Sequence, residues 1–128
     1  MRVHLDTDFL VIALSSSGSQ RARLLELAES GTEIQMSAIA WYEFSRGPRT
    51  PEQLAVGRAF LLEEGVVPFS EELATQAAEV FRLLGSPRRR AADVAIGVTA
   101  AVFEAVLLTC NTNDFAGIPN LDLENFPR

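Results

Sequence analysis

Residues 3–14, VHLDTDFLVIAL, join an apolar segment to two carboxylates, Asp6 and Asp8, that lie one residue apart. Val3–Leu5 is typical of a short buried strand, and Phe9–Leu14 of the start of a helix. Ionised carboxylates are costly to bury unless another group pairs with them. We therefore expect Asp6 to end the strand at a functional site. We expect Asp8 to be the N-cap of the helix and to support that site indirectly.

The composition indicates one soluble globular domain that spans residues 1–128. Hydrophobic residues make up 48% of the chain and charged residues 22%, which are ordinary values. No apolar stretch approaches the roughly eighteen residues that would span a bilayer, so we expect no membrane association. The first strand begins almost at residue 1, which predicts no signal peptide and a cytoplasmic protein. The only cysteine, Cys110, excludes an internal disulfide.

The charge pattern disfavours a general nucleic-acid-binding surface, because the net charge is −6 and the pI about 4.7. All eleven basic residues are arginines, since the chain has no lysine. They are densest at Arg88, Arg89 and Arg90, and the planar guanidinium suits bidentate contacts to phosphate. A net negative charge that repels nucleic acid, combined with one basic patch, is compatible with an enzyme that binds nucleic acid at a single site.

Strand-like and helix-like segments alternate along the chain, which predicts an α/β fold with a parallel sheet covered on both faces. Thr50 and Ser70 look like helix N-caps, Ser70 within a capping box. The expected strands are residues 3–5, 33–37, 66–69 and 105–109, with residues 121–126 as a candidate fifth strand. The expected helices are residues 9–14, 21–29, 38–46, 51–64, 71–84 and 91–104, with residues 85–90 as a connector.

Polar residues follow three of these strands, where sites form in parallel sheets. Glu43 lies among aromatic residues, and Asp93 precedes an apolar helix, so both need a counter-charge. Without lysine, that must be arginine or a cation. Converging carboxylates suit Mg²⁺, which prefers oxygen ligands and can generate an attacking hydroxide. Each acid alone has a simpler reading, as a turn former or a first-turn helix residue. The polar residues that follow the strands, or lie one helix further on, are Asp6, Thr7, Asp8, Ser37, Glu43, Thr109, Asn111, Asn113 and Asp114.

Four blocks in this order resemble PIN-domain nucleases, most closely the VapC-type toxins of bacterial toxin–antitoxin pairs. They are VHLDTDFLV, MSAIAWYEFSRG, RRAADVAIGVTAA and LLTCNTNDF. The resemblance covers essentially the whole chain. It implies a compact α/β/α sandwich with a short, mostly parallel sheet of four to five strands. It also implies an endoribonuclease dependent on Mg²⁺ or Mn²⁺, a small antitoxin that covers the active site, and a homodimer.

By motif position, the resemblance makes Asp6, Glu43 and Asp93 the metal ligands. Together with Asn111 they form the catalytic set. The family often has Asn or Ser in place of Asp8, and Arg in place of Cys110. Asn111 lowers the charge of the cluster, so Asp114 is a possible substitute. The expected supporting residues are Thr7, Asp8, Ser37, Thr109 and Asp114, and the expected RNA contacts are Arg88, Arg89 and Arg90.

Two other functions fit parts of the sequence. The D-x-D of LDTDF also resembles that of haloacid-dehalogenase-type phosphatases, in which the first aspartate is a nucleophile. Those enzymes usually need a lysine and a later acidic pair, and neither is present here. The remaining alternative is a binding module whose site is inactive because of Asn111.

Overall fold

A computed structural model describes all residues from 1 to 128, and strands alternate with helices throughout. The strands are β1 (Arg2–Leu5), β2 (Glu33–Ser37), β3 (Val66–Val67), β4 (Val106–Thr109) and β5 (Asp122–Asn125). The helices are α1 (Thr7–Ser15), α2 (Ser19–Glu29), α3 (Ala38–Arg46), α4 (Pro51–Phe60), α5 (Glu71–Leu83) and α6 (Ala91–Val102). Two 3₁₀ turns cover Arg88–Arg90 and Thr112–Phe115.

The sheet has the strand order β3-β2-β1-β4-β5, and every neighbouring pair is parallel. The chain first builds outward from β1 to β3, then returns to the other side of β1 for β4 and β5. Crossover connections between parallel strands are right-handed. The helices α1–α4, which connect β1 to β2 and β2 to β3, therefore cover one face of the sheet. The helices α5 and α6, which connect β3 back to β4 in the opposite direction, cover the other face. The predicted α/β/α sandwich is confirmed, with five strands, all of them parallel.

The central strands are apolar because helices cover both of their faces. Val3 and Leu5 of β1 and Leu107 and Leu108 of β4 have no exposed surface. The middle of α6 is also enclosed, with every residue from 94 to 100 buried. None of the helices has the length and hydrophobicity that a membrane-spanning segment requires.

The prediction that Asp8 caps the first helix was wrong, because Asp6 is the N-cap. The Asp6 amide still belongs to the sheet and donates to the Leu108 carbonyl over 3.0 Å. Its side-chain Oδ1 accepts from the Thr7 amide at 2.8 Å, and α1 begins at Thr7. Asp8 lies in the first turn, where its carboxylate pairs with Arg128 at 2.7 Å. Strand and helix therefore follow each other without a linker, which leaves no room for a later cap.

The end of one helix and the cap of another also differ from the prediction. The helix expected to reach Glu64 ends at Phe60, because Leu61 turns to an extended conformation and buries its side chain. Arg58 then donates to the Leu62 carbonyl at 2.8 Å and holds the turn. Ser70 caps α5 as predicted, but the third helical position is Leu73, which cannot complete a capping box.

Candidate active site

The candidate site lies at the carboxyl end of the sheet, between β1 and β4, where the direction of strand addition reverses. Parallel sheets bind ligands at such a switch point. Thr109, the last residue of β4, donates its hydroxyl to Asp6 Oδ2 at 2.9 Å. The same hydroxyl accepts from the Asn111 amide at 3.0 Å, so its proton is directed at Asp6. Thr109 thereby fixes the orientation of the buried Asp6 carboxylate.

Glu43 reaches the same edge from α3. That helix begins at Ser37, whose hydroxyl accepts from the Ala40 amide at 3.0 Å. Glu43 Oε1 accepts a 2.9 Å hydrogen bond from the Thr7 hydroxyl, which also lies 3.3 Å from the Ala40 carbonyl. Thr7 therefore ties the start of α1 to α3 and holds Glu43 near Asp6. The sequence predicted Ser37 and Thr7 as supporting residues, and the geometry is compatible with that role.

Asp93 stands in the first turn of α6. Because α6 connects parallel strands, it runs antiparallel to them, and its first turn lies at their carboxyl ends. Gly97 is one turn further along the same face of the helix. A Cβ there would lie 2.6 Å from Ile118 and 3.3 Å from Phe115, so the glycine permits a close approach of the chain that follows β4. That chain carries Asp114 next to Asp93.

The carboxylates at this edge repel one another. Burial raises the pKa of Asp6 to about 6, and the charges of Asp8 and Glu43 add to the rise, against the hydrogen bonds from Thr109 and Thr7. Burial also raises the pKa of Asp93 to about 7, with further repulsion from Asp114 first, then Asp6 and Glu43. Arg90 lowers this pKa only in part.

No salt bridge neutralises these acids. The salt bridges of the molecule join Arg2 to Glu33, Arg23 to Glu26 and Glu124, and Arg128 to Asp8. None of them involves Asp6, Glu43, Asp93 or Asp114. An uncompensated group of carboxylates with two raised pKa values is typical of functional sites rather than of structural ion pairs.

Two residues, Asn111 and Asp114, are candidates for the fourth acidic position. Asn111 is exposed, and its Oδ1 accepts from the Asn113 amide at 3.2 Å, which caps the 3₁₀ turn at 112–115. Asp114, in that turn, is the residue whose charge acts most strongly on Asp93. The charge of Asp114 therefore makes it a stronger candidate than Asn111 for the fourth acid.

The three consecutive arginines do not share one environment. Arg88 and Arg89 are exposed, whereas Arg90 is half-buried. The Arg90 guanidinium donates to the backbone carbonyls of Asp114, at 3.0 Å, and Ala116, at 2.6 Å. Sequence reasoning missed this contact because 24 residues separate the partners. It also missed Gly97, although an isolated glycine inside an apolar helix indicates close backbone packing.

A family model for the PIN domain matches residues 3–121. The chain belongs to the PIN-domain family. None of the curated protein sequences matches this PIN domain. The family match covers all four of the acids that the fold places at the carboxyl edge of the sheet.

Solved structures with this fold come from toxin–antitoxin complexes. The PIN domain is 25% identical to a chain of VapBC2 from Rickettsia felis bound to a DNA fragment from their promoter, with a TM-score of 0.75 over 98% of this chain and 99% of that one. It shares its fold with a chain of DNA-bound VapBC from Salmonella typhimurium, at 20% identity, a TM-score of 0.70 and 98% coverage of both chains. It also shares it with VapBC-1 from nontypeable Haemophilus influenzae, at 24% identity, a TM-score of 0.64 and 98% coverage of both. The resemblance to VapC-type PIN domains predicted from the sequence is confirmed.

Proposed function

We propose that this PIN domain is a metal-dependent endoribonuclease and the toxin of a toxin–antitoxin pair. Its family is one of nucleases, which act on phosphodiester bonds. The observation that carries the proposal is the convergence of Asp6, Glu43, Asp93 and Asp114 at the switch point without a basic partner. Such a cluster is unfavourable in the isolated protein, and a divalent cation would relieve its repulsion.

The donor set fits a hard cation. Carboxylate oxygens are the ligands that Mg²⁺ and Mn²⁺ take. Asp6, Glu43 and Asp93 would hold the metal, with Asp114 rather than Asn111 as the fourth acid. No group of three acidic, histidine or cysteine side chains is arranged as a ready-made metal site, so we expect the carboxylates to shift when a cation binds. When bound, the cation supplies an activated water and stabilises charge on the leaving oxygen.

The protein's own residues position this chemistry. Thr109 orients Asp6, and Thr7 orients Glu43 through a hydrogen bond of 2.9 Å in each case. The raised pKa values of Asp6 and Asp93 keep them partly protonated below neutral pH, which predicts weaker metal binding in acid. The exposed Arg88 and Arg89 stand just before α6 and could contact RNA phosphates beside the site.

The similarity to chains of VapBC complexes also bears on the protein partners of this PIN domain. The neighbouring chains come from VapBC complexes, which supports a cognate antitoxin for this PIN domain. A homodimer and a cytoplasmic location belong to the same proposal. Light scattering of the purified chain tests the dimer, since a monomeric mass at micromolar concentration would contradict it. Loss of RNA cleavage on addition of the purified antitoxin tests the pairing.

The phosphatase alternative loses support at Asp8. In that reading Asp8 would be the acid–base beside a nucleophilic Asp6. Here it is an exposed first-turn residue whose carboxylate pairs with Arg128. The inactive-module alternative rests on Asn111, and Asp114 supplies a carboxylate near Asp93 in its place. We therefore retain the nuclease.

RNA cleavage by the partner-free chain tests the proposal. We expect cleavage with Mg²⁺ or Mn²⁺ and none after treatment with EDTA. Asp6→Asn and Asp93→Asn should each reduce the rate by at least about 100-fold, because each removes a ligand. Asp122→Asn is the matched control, since it removes an exposed carboxylate on β5, outside the cluster.

Asp8→Asn distinguishes the nuclease from the phosphatase. In the nuclease it costs much less than Asp6→Asn, because Asp8 touches Arg128 rather than the cluster. Full activity in Asp6→Asn, or equal losses at Asp6 and Asp8, would overturn the assignment.

A further inference from the structure

We infer that Arg90 is a positioning residue that holds Asp114 beside Asp93, rather than a contact for RNA. This inference rests on the proposed function, because it assigns Asp114 to the metal site. It separates Arg90 from Arg88 and Arg89, which the sequence alone cannot distinguish. The segment concerned is the Asp114 segment, residues 112–116.

The guanidinium of Arg90 is already engaged within the protein. Nε donates to the Asp114 carbonyl at 3.0 Å, and a terminal nitrogen donates to the Ala116 carbonyl at 2.6 Å. These are two-point contacts from the planar fork, which a point charge cannot reproduce. A side chain committed in this way is not free to follow an RNA backbone.

The position of Arg90 in the chain makes these contacts consequential. It is the residue immediately before α6, and Asp93 lies in the first turn of that helix. Its two hydrogen bonds therefore join the start of α6 directly to the Asp114 segment. Gly97 brings the two elements together one turn further along, through its contact with Phe115. Arg90, just before α6, and Gly97, within α6, thus hold the segment at two points.

The buried side chain of Phe115 anchors the Asp114 segment in the core, but the backbone of the segment is weakly held. Its internal backbone bonds are long, at 3.3 Å for both the Asp114 and the Ala116 amides. A four-residue 3₁₀ turn has poor hydrogen-bond geometry and limited stability of its own. Without Arg90, we expect the segment to move and Asp114 to lose its fixed distance from Asp93.

The test compares Mn²⁺ binding in Arg90→Ala, Arg90→Lys and the control Arg89→Ala by calorimetry. If Arg90 positions Asp114, Arg90→Ala and Arg90→Lys should both bind Mn²⁺ about tenfold more weakly. Replacing a residue that orients a metal ligand typically reduces metal affinity by this much. Arg89→Ala, which removes the same charge from an exposed neighbour, should bind like the wild type. A purely electrostatic role predicts the opposite sign, because removing a cation beside the site strengthens Mn²⁺ binding and lysine restores the wild-type value.

Amide hydrogen exchange of the metal-free proteins provides a second readout. Exchange at residues 112–116 should accelerate in both Arg90 variants and not in Arg89→Ala. Unchanged or tighter Mn²⁺ binding in a folded Arg90→Ala, or unchanged exchange in this segment, would overturn the inference. If the wild type binds no Mn²⁺, the proposed function fails. The exchange data then decide separately whether Arg90 positions the segment.

Discussion

Asp6 serves two elements at once. Its amide makes the last hydrogen bond between β1 and β4, and its carboxylate caps α1 while accepting a hydrogen bond from the Thr109 hydroxyl. Both carboxylate oxygens are therefore hydrogen-bonded, and the residue is only 7% exposed. These bonds orient the group but do not neutralise it, since burial still raises the pKa of Asp6 to about 6. The residue that the proposed chemistry needs most is thus a source of instability.

Replacing Asp6 should lower the activity of the protein and raise its stability. An acid whose pKa is raised on folding contributes stability that is present below its unfolded pKa, near 3.8, and is lost as the pH rises through about 6. At pH 8 the ionised Asp6 therefore destabilises the metal-free protein by on the order of 2–3 kcal/mol. Asp6→Asn should abolish cleavage while it raises the free energy of unfolding at pH 8. Denaturant unfolding of the metal-free proteins measures this, and a less stable variant at pH 8 would contradict it.

At the scale of elements, the buried part of α6 packs against apolar residues of the chain after β4. Gly97 approaches Ile118, Leu121 and Phe115, all within 3.3 Å of where a Cβ would lie. The buried face of α6 thus sets the depth at which the segment carrying Asp114 can pack. The site depends on this contact as much as on the acids themselves.

Gly97→Ala should disturb both stability and the site. The added methyl group would lie 2.6 Å from the Ile118 Cδ1 atom, which must move within a packed core. Overpacking of this kind costs about 1–3 kcal/mol, against a gain of up to about 1 kcal/mol in helix propensity. We expect net destabilisation of about 1 kcal/mol and weaker Mn²⁺ binding. Ala100→Gly, on the same buried helix, is a control for stability alone. A Gly97→Ala variant of unchanged Mn²⁺ affinity would show that the contact does not position Asp114.

The elements themselves were largely predictable from the sequence, because apolar periodicity and caps such as Thr50 are local signals. The parallel arrangement of the strands follows from their alternation with helices. Boundaries were less predictable, since Leu61 leaves its helix to fill the core, a tertiary requirement. Asp8 looked like a cap because an ordinary linker was assumed between β1 and α1. The role of Arg90 depends on a contact between distant residues, so no local pattern could reveal it.

For the whole molecule, opposing groups define the dependence of stability on pH. Burial lowers the pKa of His4 to about 4, so the folded protein loses stability as the pH falls from 6.5 toward 4. The raised pKa values of Asp6 and Asp93 remove stability as the pH rises from near 3.8 through about 6 and about 7, respectively. The net charge of −6 adds repulsion at higher pH.

A divalent cation should therefore stabilise this protein selectively at alkaline pH. Binding to the folded state alone raises stability by mass action, by about 2.7 kcal/mol at 100 times the dissociation constant. We expect Mn²⁺ to raise the midpoint of thermal unfolding by several degrees at pH 8 and much less at pH 5, where Asp6 and Asp93 are protonated. Differential scanning fluorimetry measures both, with Asp93→Asn as the control that should not respond. An equal shift at both pH values would place the bound cation elsewhere.

The positions of the four acids, 6, 43, 93 and 114, also bear on synthesis. They are spread along almost the entire chain, and each reaches the site only through its own element of the sandwich. A nascent chain on the ribosome therefore carries no complete cluster until residues beyond 114 have emerged and packed against α6. Fragments that end before residue 114 lack the fourth acid. The metal site of the proposed ribonuclease is therefore complete only after the Asp114 segment has packed against α6.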